Sequence, residues 1–179
     1  QNSFIGRNCK LNLKKKFKIL NFSKTQKIQK PKETYLFHLA AKTSVINSFK
    51  NPKSTIITNI KLLLESLEFC RKNKIKLIFF STAYQKDRSQ FTSPYSFSKN
   101  ICENICDYYS KNFEIDICII RLTNIYGKFQ KKNLINDMII NLKTKKTIEI
   151  GNHNFSRDFV FIKDLISALE KIVNKFPKK

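Results

Sequence analysis

Tyr95 and Lys99 stand four residues apart in the run Ser93-Pro94-Tyr95-Ser96-Phe97-Ser98-Lys99. On a helix that spacing puts both side chains on one face. A phenol beside an ammonium loses its proton more readily, because the positive charge favours the phenolate. Thr82, or alternatively its neighbour Ser81, ends an apolar run upstream and offers a hydroxyl to the same substrate oxygen. A phenol, an ammonium and a hydroxyl grouped in this way form a proton-transfer device, suited to oxidising an alcohol or reducing a ketone. The Tyr-x-x-x-Lys spacing by itself is a weak signal in a chain so rich in lysine.

The segments that would position these groups can be read from their apolar patterns. Lys76 to Ser81 (KLIFFS) is an uninterrupted apolar run of strand length, the pattern of a parallel strand covered on both faces. Ser93 caps the following helix with Pro94 at its first position, and Ile101, Ile105 and Tyr108 continue its buried stripe. Upstream, Phe17 to Phe22 and Thr34 to Leu39 read as short strands, separated by a polar loop from Lys24 to Lys32. Asn51-Pro52 opens a helix that runs to about Lys72, with Ile56, Ile60, Leu63, Leu64 and Leu67 at helical spacing. Downstream, the pattern predicts a strand over Ile115 to Arg121, a helix over Leu134 to Leu142 and a strand over Thr147 to Ile150. A short strand over Phe159 to Ile162 and a helix from about Lys163 to Asn174 complete the series. Such alternation implies an α/β fold, a parallel sheet with helices on both faces. Open parallel sheets bind ligands at the carboxyl ends of their strands. Thr82, the segment His38-Leu39-Ala40-Ala41, and the segment Asn124 to Gly127 all fall at such ends.

Composition narrows the class. The 179 residues suffice for one domain with a real core, and only 3 are glycine. Lys+Arg 35 against Asp+Glu 13 gives a net charge of +22. That balance raises the alternative of a basic polyanion-binding module. The basic residues are spread along the chain rather than gathered in a stripe, which favours a compositional origin. Cys9, Cys70, Cys102, Cys106 and Cys118 form no CxxC pair and read as small buried hydrophobes of a reducing compartment. No metal site, membrane span or signal peptide is evident, so cytoplasm is the expectation, and the start at Gln1 suggests a piece of something larger.

With these residues in view, the chain resembles the NAD-dependent epimerase/dehydratase family of the extended short-chain dehydrogenase/reductases, in truncated form. The resemblance rests on Phe4-Ile5-Gly6-Arg7, His38-Leu39-Ala40-Ala41, Asn51-Pro52 with Asn59, Ser81-Thr82, Ser93-Pro94-Tyr95 with Lys99, Arg121 with Asn124-Ile125-Tyr126-Gly127, and Arg157-Asp158-Phe159-Val160. These pieces occur in the family's order. The resemblance implies a Rossmann-like doubly wound parallel sheet, incomplete at both termini, within one truncated NAD(P)-binding domain over 1–179. The substrate-binding region would start from about 127. It implies Tyr95 as acid/base, Lys99 as its partner and a ribose ligand, and Thr82 as the group orienting the sugar oxygen. Gly6, His38, Leu39, Ala40, Ala41, Asn59 and Ser81 would line the cofactor, NAD, with NADP open. Asn124 and Arg157 would hold a nucleotide-diphosphate sugar, Arg157 by a bidentate grip on phosphate. From the residues alone, His38 reads as a packed strand residue rather than a catalytic base, and Arg157 could pair with Asp158 on the surface; the resemblance points Arg157 to phosphate. Family members often pair as homodimers through a helix bundle that includes the tyrosine's helix; neither a specific nucleic acid nor a membrane is implied as a partner.

The pattern breaks in the cofactor half. Of the Gly-x-x-Gly-x-x-Gly loop only Gly6 is present; Ser3 stands at the second glycine, where a side chain obstructs approach of phosphate. Asn21 stands near the place of the acidic ribose ligand, and the segment before Thr34 is too short for the usual helix and strand. These losses keep open an inactive or degenerate fragment. Ala83-Tyr84 replace the Asp-Glu pair that dehydratases of the group use to eliminate water, which points to epimerisation or simple oxidoreduction of a sugar carbon.

Overall fold

The structure is a computed structural model that describes residues 3–14, 34–83, 93–130, 134–144 and 157–177. In chain order its elements are α1 (Phe4–Leu13), β1 (Tyr35–His38), α2 (Val45–Lys50), α3 (Pro52–Asn73), β2 (Lys76–Thr82), α4 (Pro94–Asn112), β3 (Ile117–Leu122), β4 (Asn124–Tyr126), α5 (Leu134–Thr144), β5 (Phe159–Phe161) and α6 (Ile162–Asn174). The chain divides into two compact units. One is Phe22–Leu122 with Lys175–Lys179, and the other is Gln1–Asn21 with Thr123–Asn174.

The first unit is built on a parallel sheet in the order β1-β2-β3. Helix α3 crosses from β1 to β2 and α4 from β2 to β3; the two helices pack on each other, as two successive crossovers of one hand require. Leu77 and Phe79 of β2 meet Leu63, Leu67 and Cys70 of α3 and Cys102 and Cys106 of α4 in one core. Fully burying each of these leucines contributes roughly 2 kcal/mol. Ile78 and Phe80 alternate to the opposite face and are buried too, so the central strand is covered on both sides, as its unbroken apolar run implies.

Helix α4 starts where the sequence places it. Ser93 Oγ accepts the Ser96 N–H and Ser96 Oγ accepts the Ser93 N–H, a reciprocal capping box, with Pro94 following. Helix α3 starts at Pro52, but Asn51 makes no side-chain cap bond. It ends at Lys74, whose φ of 50° is left-handed. The boundary shifts are largest in β3, which begins at Ile117 rather than Ile115, and in α5, which runs to Thr144 rather than Leu142; Ile162 opens α6 rather than closing a strand, and the other ends move by no more than one residue. Helix α2 and the three-residue β4 were not anticipated. Most of α2 is exposed, Ile46 and Phe49 included, so it carries no buried stripe to read; its one signal is Ser44, which caps the Asn47 N–H.

In the second unit β4 and β5 pair in parallel, Asn124 opposite Phe159 and Tyr126 opposite Phe161. Helix α6 buries Ile162, Leu165, Ile166, Leu169 and Val173, and α1 packs against it. Asn8 of α1 donates to the carbonyls of Phe4 and Lys128, which ties α1 to the chain just past β4. Gly127 follows β4 with φ +138°, and a Cβ there would lie 2.5 Å from Ile162 Cγ2. Gly127→Ala is therefore expected to destabilise the protein by ~2–3 kcal/mol, read as a lower denaturant midpoint; an unchanged midpoint would contradict this packing.

The expected strands at Phe17–Phe22 and Thr147–Ile150 lie outside the described residues. Cys9, Cys70, Cys102 and Cys106 are buried and Cys118 half-buried, all as free thiols. No helix among the described residues is long and apolar enough to cross a membrane.

Candidate active site

The carboxyl end of the first unit's sheet gathers most of the chemically capable residues. Lys99 projects from α4 toward β2. Its ammonium donates to the Phe80 carbonyl at 2.7 Å and lies 4.5 Å from the centre of the Phe79 ring. That bond fixes α4 to the strand two residues before Thr82. Thr82 and Ser81 end the strand and are both buried. Tyr95 lies one turn before Lys99 on the same helix and is half-buried.

Burial governs the titration of this group. It pushes the Lys99 ammonium down to about 8, opposed by the charges of Cys102, Cys106 and Glu103 in their anionic forms. It pushes the Tyr95 phenol up to about 12. The sequence argument expected the phenol to move down beside an ammonium, and that expectation is corrected here. The ammonium is anchored on a backbone carbonyl, and loss of water around the phenol outweighs its field. Without a ligand, Tyr95 is a neutral hydroxyl at physiological pH.

His38 closes β1, opposite Phe79 in register. Its Nδ1 lies 2.9 Å from Ser66 Oγ, which is also within donating distance of the Leu62 carbonyl, at 3.1 Å. Nδ1 and the Ser66 hydroxyl can each donate to the other, according to which ring nitrogen carries the proton. Burial, then the Lys99 charge, push His38 down to about 4. This is a packed neutral histidine, the reading that the residues alone gave. Its folded value lies below the unfolded 6.5, so the unfolded chain takes up a proton first as the pH falls. Stability should be intact above pH 6.5 and fall by up to ~3 kcal/mol on the way to pH 4. Urea midpoints across that window, compared with His38→Gln, check it; equal slopes for both proteins would exclude His38 as the cause.

Leu39, Ala40 and Ala41 follow β1 directly, and Asn59 of α3 holds the segment that continues from them. Asn59 Oδ1 accepts the Lys42 N–H at 2.7 Å, and its Nδ2 donates to the Lys42 carbonyl at 3.2 Å and to Ser98 Oγ at 2.9 Å. Ser98 donates in turn to the Tyr95 carbonyl at 2.7 Å. Asn59 thus acts on the β1 segment and on the tyrosine's helix through bonds within the protein. Sequence reasoning missed Ser66 and Ser98 as supports; each is a common residue whose partner lies far away in the chain.

It also gave no role to Glu103. Glu103 is buried on α4, and Arg121 of β3 forks it, Nε at 3.1 Å from Oε1 and Nη2 at 2.6 Å from Oε2. Glu103 stands four residues after Lys99, the same spacing that links Lys99 to Tyr95, and that periodicity was the available signal.

Ser3, Gly6, Asn124 and Arg157 belong to the other unit. Ser3 caps α1, its Oγ accepting the Gly6 N–H at 3.1 Å. Asn124 donates from its backbone and from its side chain to the Asp158 carbonyl, at 3.2 and 3.1 Å, beside the exposed Arg157. Asn124 and Arg157 are thus brought to the same end of the β4–β5 pair. Tyr84 and Gln85 lie outside the described residues. Ala83 bonds through its backbone N–H to the Leu122 carbonyl at 2.9 Å and offers no side-chain acid or base. Among the described residues no cluster of His, Cys, Asp and Glu is arranged to hold a metal ion.

A family model, the NAD dependent epimerase/dehydratase family, matches residues 6–179. The chain belongs to that family. It is similar to the dTDP-D-glucose 4,6-dehydratase of Dictyostelium discoideum, 32% identical over 172 residues, covering 82% of this chain and 40% of that protein. An uncharacterized UDP-glucose epimerase of Bacillus subtilis is 29% identical over 154 residues, with 78% of this chain and 49% of that protein covered. Among solved structures, the UDP-N-acetylglucosamine 4-epimerase from Methanobrevibacter ruminantium, in complex with UDP-N-acetylmuramic acid, superposes with a TM-score of 0.73 at 26% identity. That match covers 81% of this chain and 53% of the other. The chain spans about half the length of the relatives it matches. The epimerase/dehydratase fold, a Rossmann-like α/β architecture, is thereby established, as the order of the motifs implied.

The donor set fits the nicotinamide side of the family's cofactor. A buried ammonium, a buried hydroxyl at Thr82 and the small Ala40 and Ala41 stand at the carboxyl end of one sheet. Taken by itself, the start of α1 in the other unit fits a phosphate poorly, because the Gly6 N–H is already engaged by Ser3 Oγ.

Proposed function

We propose that this chain is the cofactor-binding portion of an NAD-dependent nucleotide-sugar epimerase or oxidoreductase. The observation that carries the reading is Lys99, its buried ammonium tied to the Phe80 carbonyl beside Thr82, with Tyr95 one turn away on the same helix. NAD, when bound, supplies the hydride acceptor. Tyr95 takes the proton of the sugar hydroxyl in oxidation and returns it in reduction. Thr82 orients the sugar oxygen by hydrogen bonding. Lys99 supplies the positive charge that makes the phenolate accessible once the site is filled, and a donor for the ribose. Leu39, Ala40, Ala41 and Ser81 shape the cofactor wall, with His38 and Asn59 bracing it through bonds within the protein. Ala83 gives water elimination no second proton-transfer group, so epimerisation or simple oxidoreduction is the favoured chemistry. Exposed Ile57, Phe97 and Tyr108 on α3 and α4 suit pairing with a second copy of the chain.

A second reading, an inactive or degenerate member, is supported by Ser3, which occupies the Gly6 N–H that a phosphate would use. Calorimetric titration with NAD, and with NADP for comparison, separates the two readings. Measurable NAD binding by the wild-type chain is expected, with Ser3→Gly tighter by roughly three- to tenfold because one donor is released. Binding only after Ser3→Gly would favour the degenerate member, and binding by neither protein would exclude the first reading.

A further inference from the structure

Lys99 is a buried cation, and a buried cation needs a counter-charge. Among the described residues, Cys102, Cys106 and Glu103 of α4 and His38 of β1 interact with it electrostatically; Tyr95 lies one turn before it on the same helix, and Arg121 of β3 holds Glu103. Burial pushes Cys102 up to about 11 and raises Cys106 still further, so both are neutral thiols at physiological pH. Tyr95 and His38 are neutral there as well. The thiols act on Lys99 more strongly than Glu103 does only as thiolates, in alkali. The buried carboxylate among these groups is Glu103, gripped by the Arg121 fork.

The fork also has a mechanical role. Arg121 sits opposite Ser81 in the β2–β3 register, and Glu103 sits one turn past Lys99. The pair therefore joins α4 to the carboxyl end of the sheet at the level of the candidate site. Together with the Lys99–Phe80 bond it pins the helix at two successive turns.

We propose that Glu103, held by Arg121, is a positioning residue for Lys99: its buried carboxylate is the counter-charge that fixes the ammonium at the carboxyl end of β2. The catalytic meaning of this rests on the reading of Tyr95 and Lys99 as the reacting pair, but the placement of Lys99 does not.

The test is an NMR titration of Lys99, with lysines carbon-labelled at Cε and the Lys99 signal assigned through Lys99→Arg. It needs neither cofactor nor sugar. In Glu103→Gln the midpoint is expected to fall by about half a unit or more, which multiplies the ratio of neutral to charged Lys99 at a given pH by about three or more. Glu103→Asp, which keeps the charge, should restore most of the difference. If Glu103→Gln does not fold, the size-matched pair Glu103→Asp and Glu103→Asn asks the same question. Equal Lys99 midpoints with and without the carboxylate overturn the proposal, even in a chain that binds NAD. A shifted midpoint supports it even if NAD fails to bind, and in that case the functional reading alone is lost.

Discussion

Tyr95→Phe is expected to cut nucleotide-sugar turnover by roughly a hundred- to ten-thousandfold, the range for losing a positioned acid/base. The substitution removes one oxygen from a half-buried ring and leaves the helix spacing intact. Stability should stay within ~0.5 kcal/mol of wild type, the scale of changes that break no core packing. The two readouts together are diagnostic. A merely structural tyrosine would alter the denaturant midpoint and turnover together, whereas the acid/base alters turnover alone. Burial holds the phenol at about 12, so it serves first as a proton donor, in the direction that reduces a ketone. Retained turnover in Tyr95→Phe would remove Tyr95 from the chemistry.

Lys99→Met is expected to move activity and stability in opposite directions. Lys99 titrates near 8 in the folded protein against 10.5 in the unfolded chain, with burial the main cause. Between those values the unfolded chain holds a proton that the folded protein has released, so stability rises with pH through that window. Below it, the buried charge costs the folded state up to ~3 kcal/mol. Methionine fills a similar volume without charge, but it leaves the Phe80 carbonyl without this donor, at a cost of about 1 kcal/mol. The variant should therefore be more stable than wild type by ~1–2 kcal/mol at neutral pH, with a flatter dependence between pH 8 and 10.5. Turnover should fall by roughly a hundredfold or more. Urea midpoints at both ends of the window check the sign. A variant less stable than wild type at neutral pH would mean that the Phe80 bond and local packing outweigh the desolvation of the charge.

Much of the scaffold is legible in the sequence because it follows local rules. The unbroken apolar run KLIFFS could only suit a strand covered on both faces, and β2 is such a strand. Ser93 and Pro94 mark the start of α4 to the residue, since capping chemistry is local. Helix α2 escaped because its residues face solvent and leave no periodic trace. The titration of Tyr95 escaped for a different reason. Spacing showed that a cation could stand nearby, but whether charge or burial prevails depends on packing that no four-residue pattern contains. The Arg121–Glu103 fork joins residues 18 apart on different elements, and the bonds of Asn59 reach across 17 and 39 residues. Such links become visible only when the sheet and its two crossover helices are assembled.

The most direct test of the site is a single-turnover experiment with the wild-type chain, NAD and UDP-glucose deuterated on the sugar ring. The cofactor is recovered after rapid quenching and its deuterium content read by mass spectrometry. Deuterium in the reduced cofactor, lost in Tyr95→Phe and in Lys99→Met, is the expected result and would establish hydride transfer at a sugar carbon with these two residues moving the proton. Reduced cofactor that carries no deuterium, or the same deuterium content in Tyr95→Phe, would contradict the assignment of this chemistry to the Tyr95–Lys99 pair.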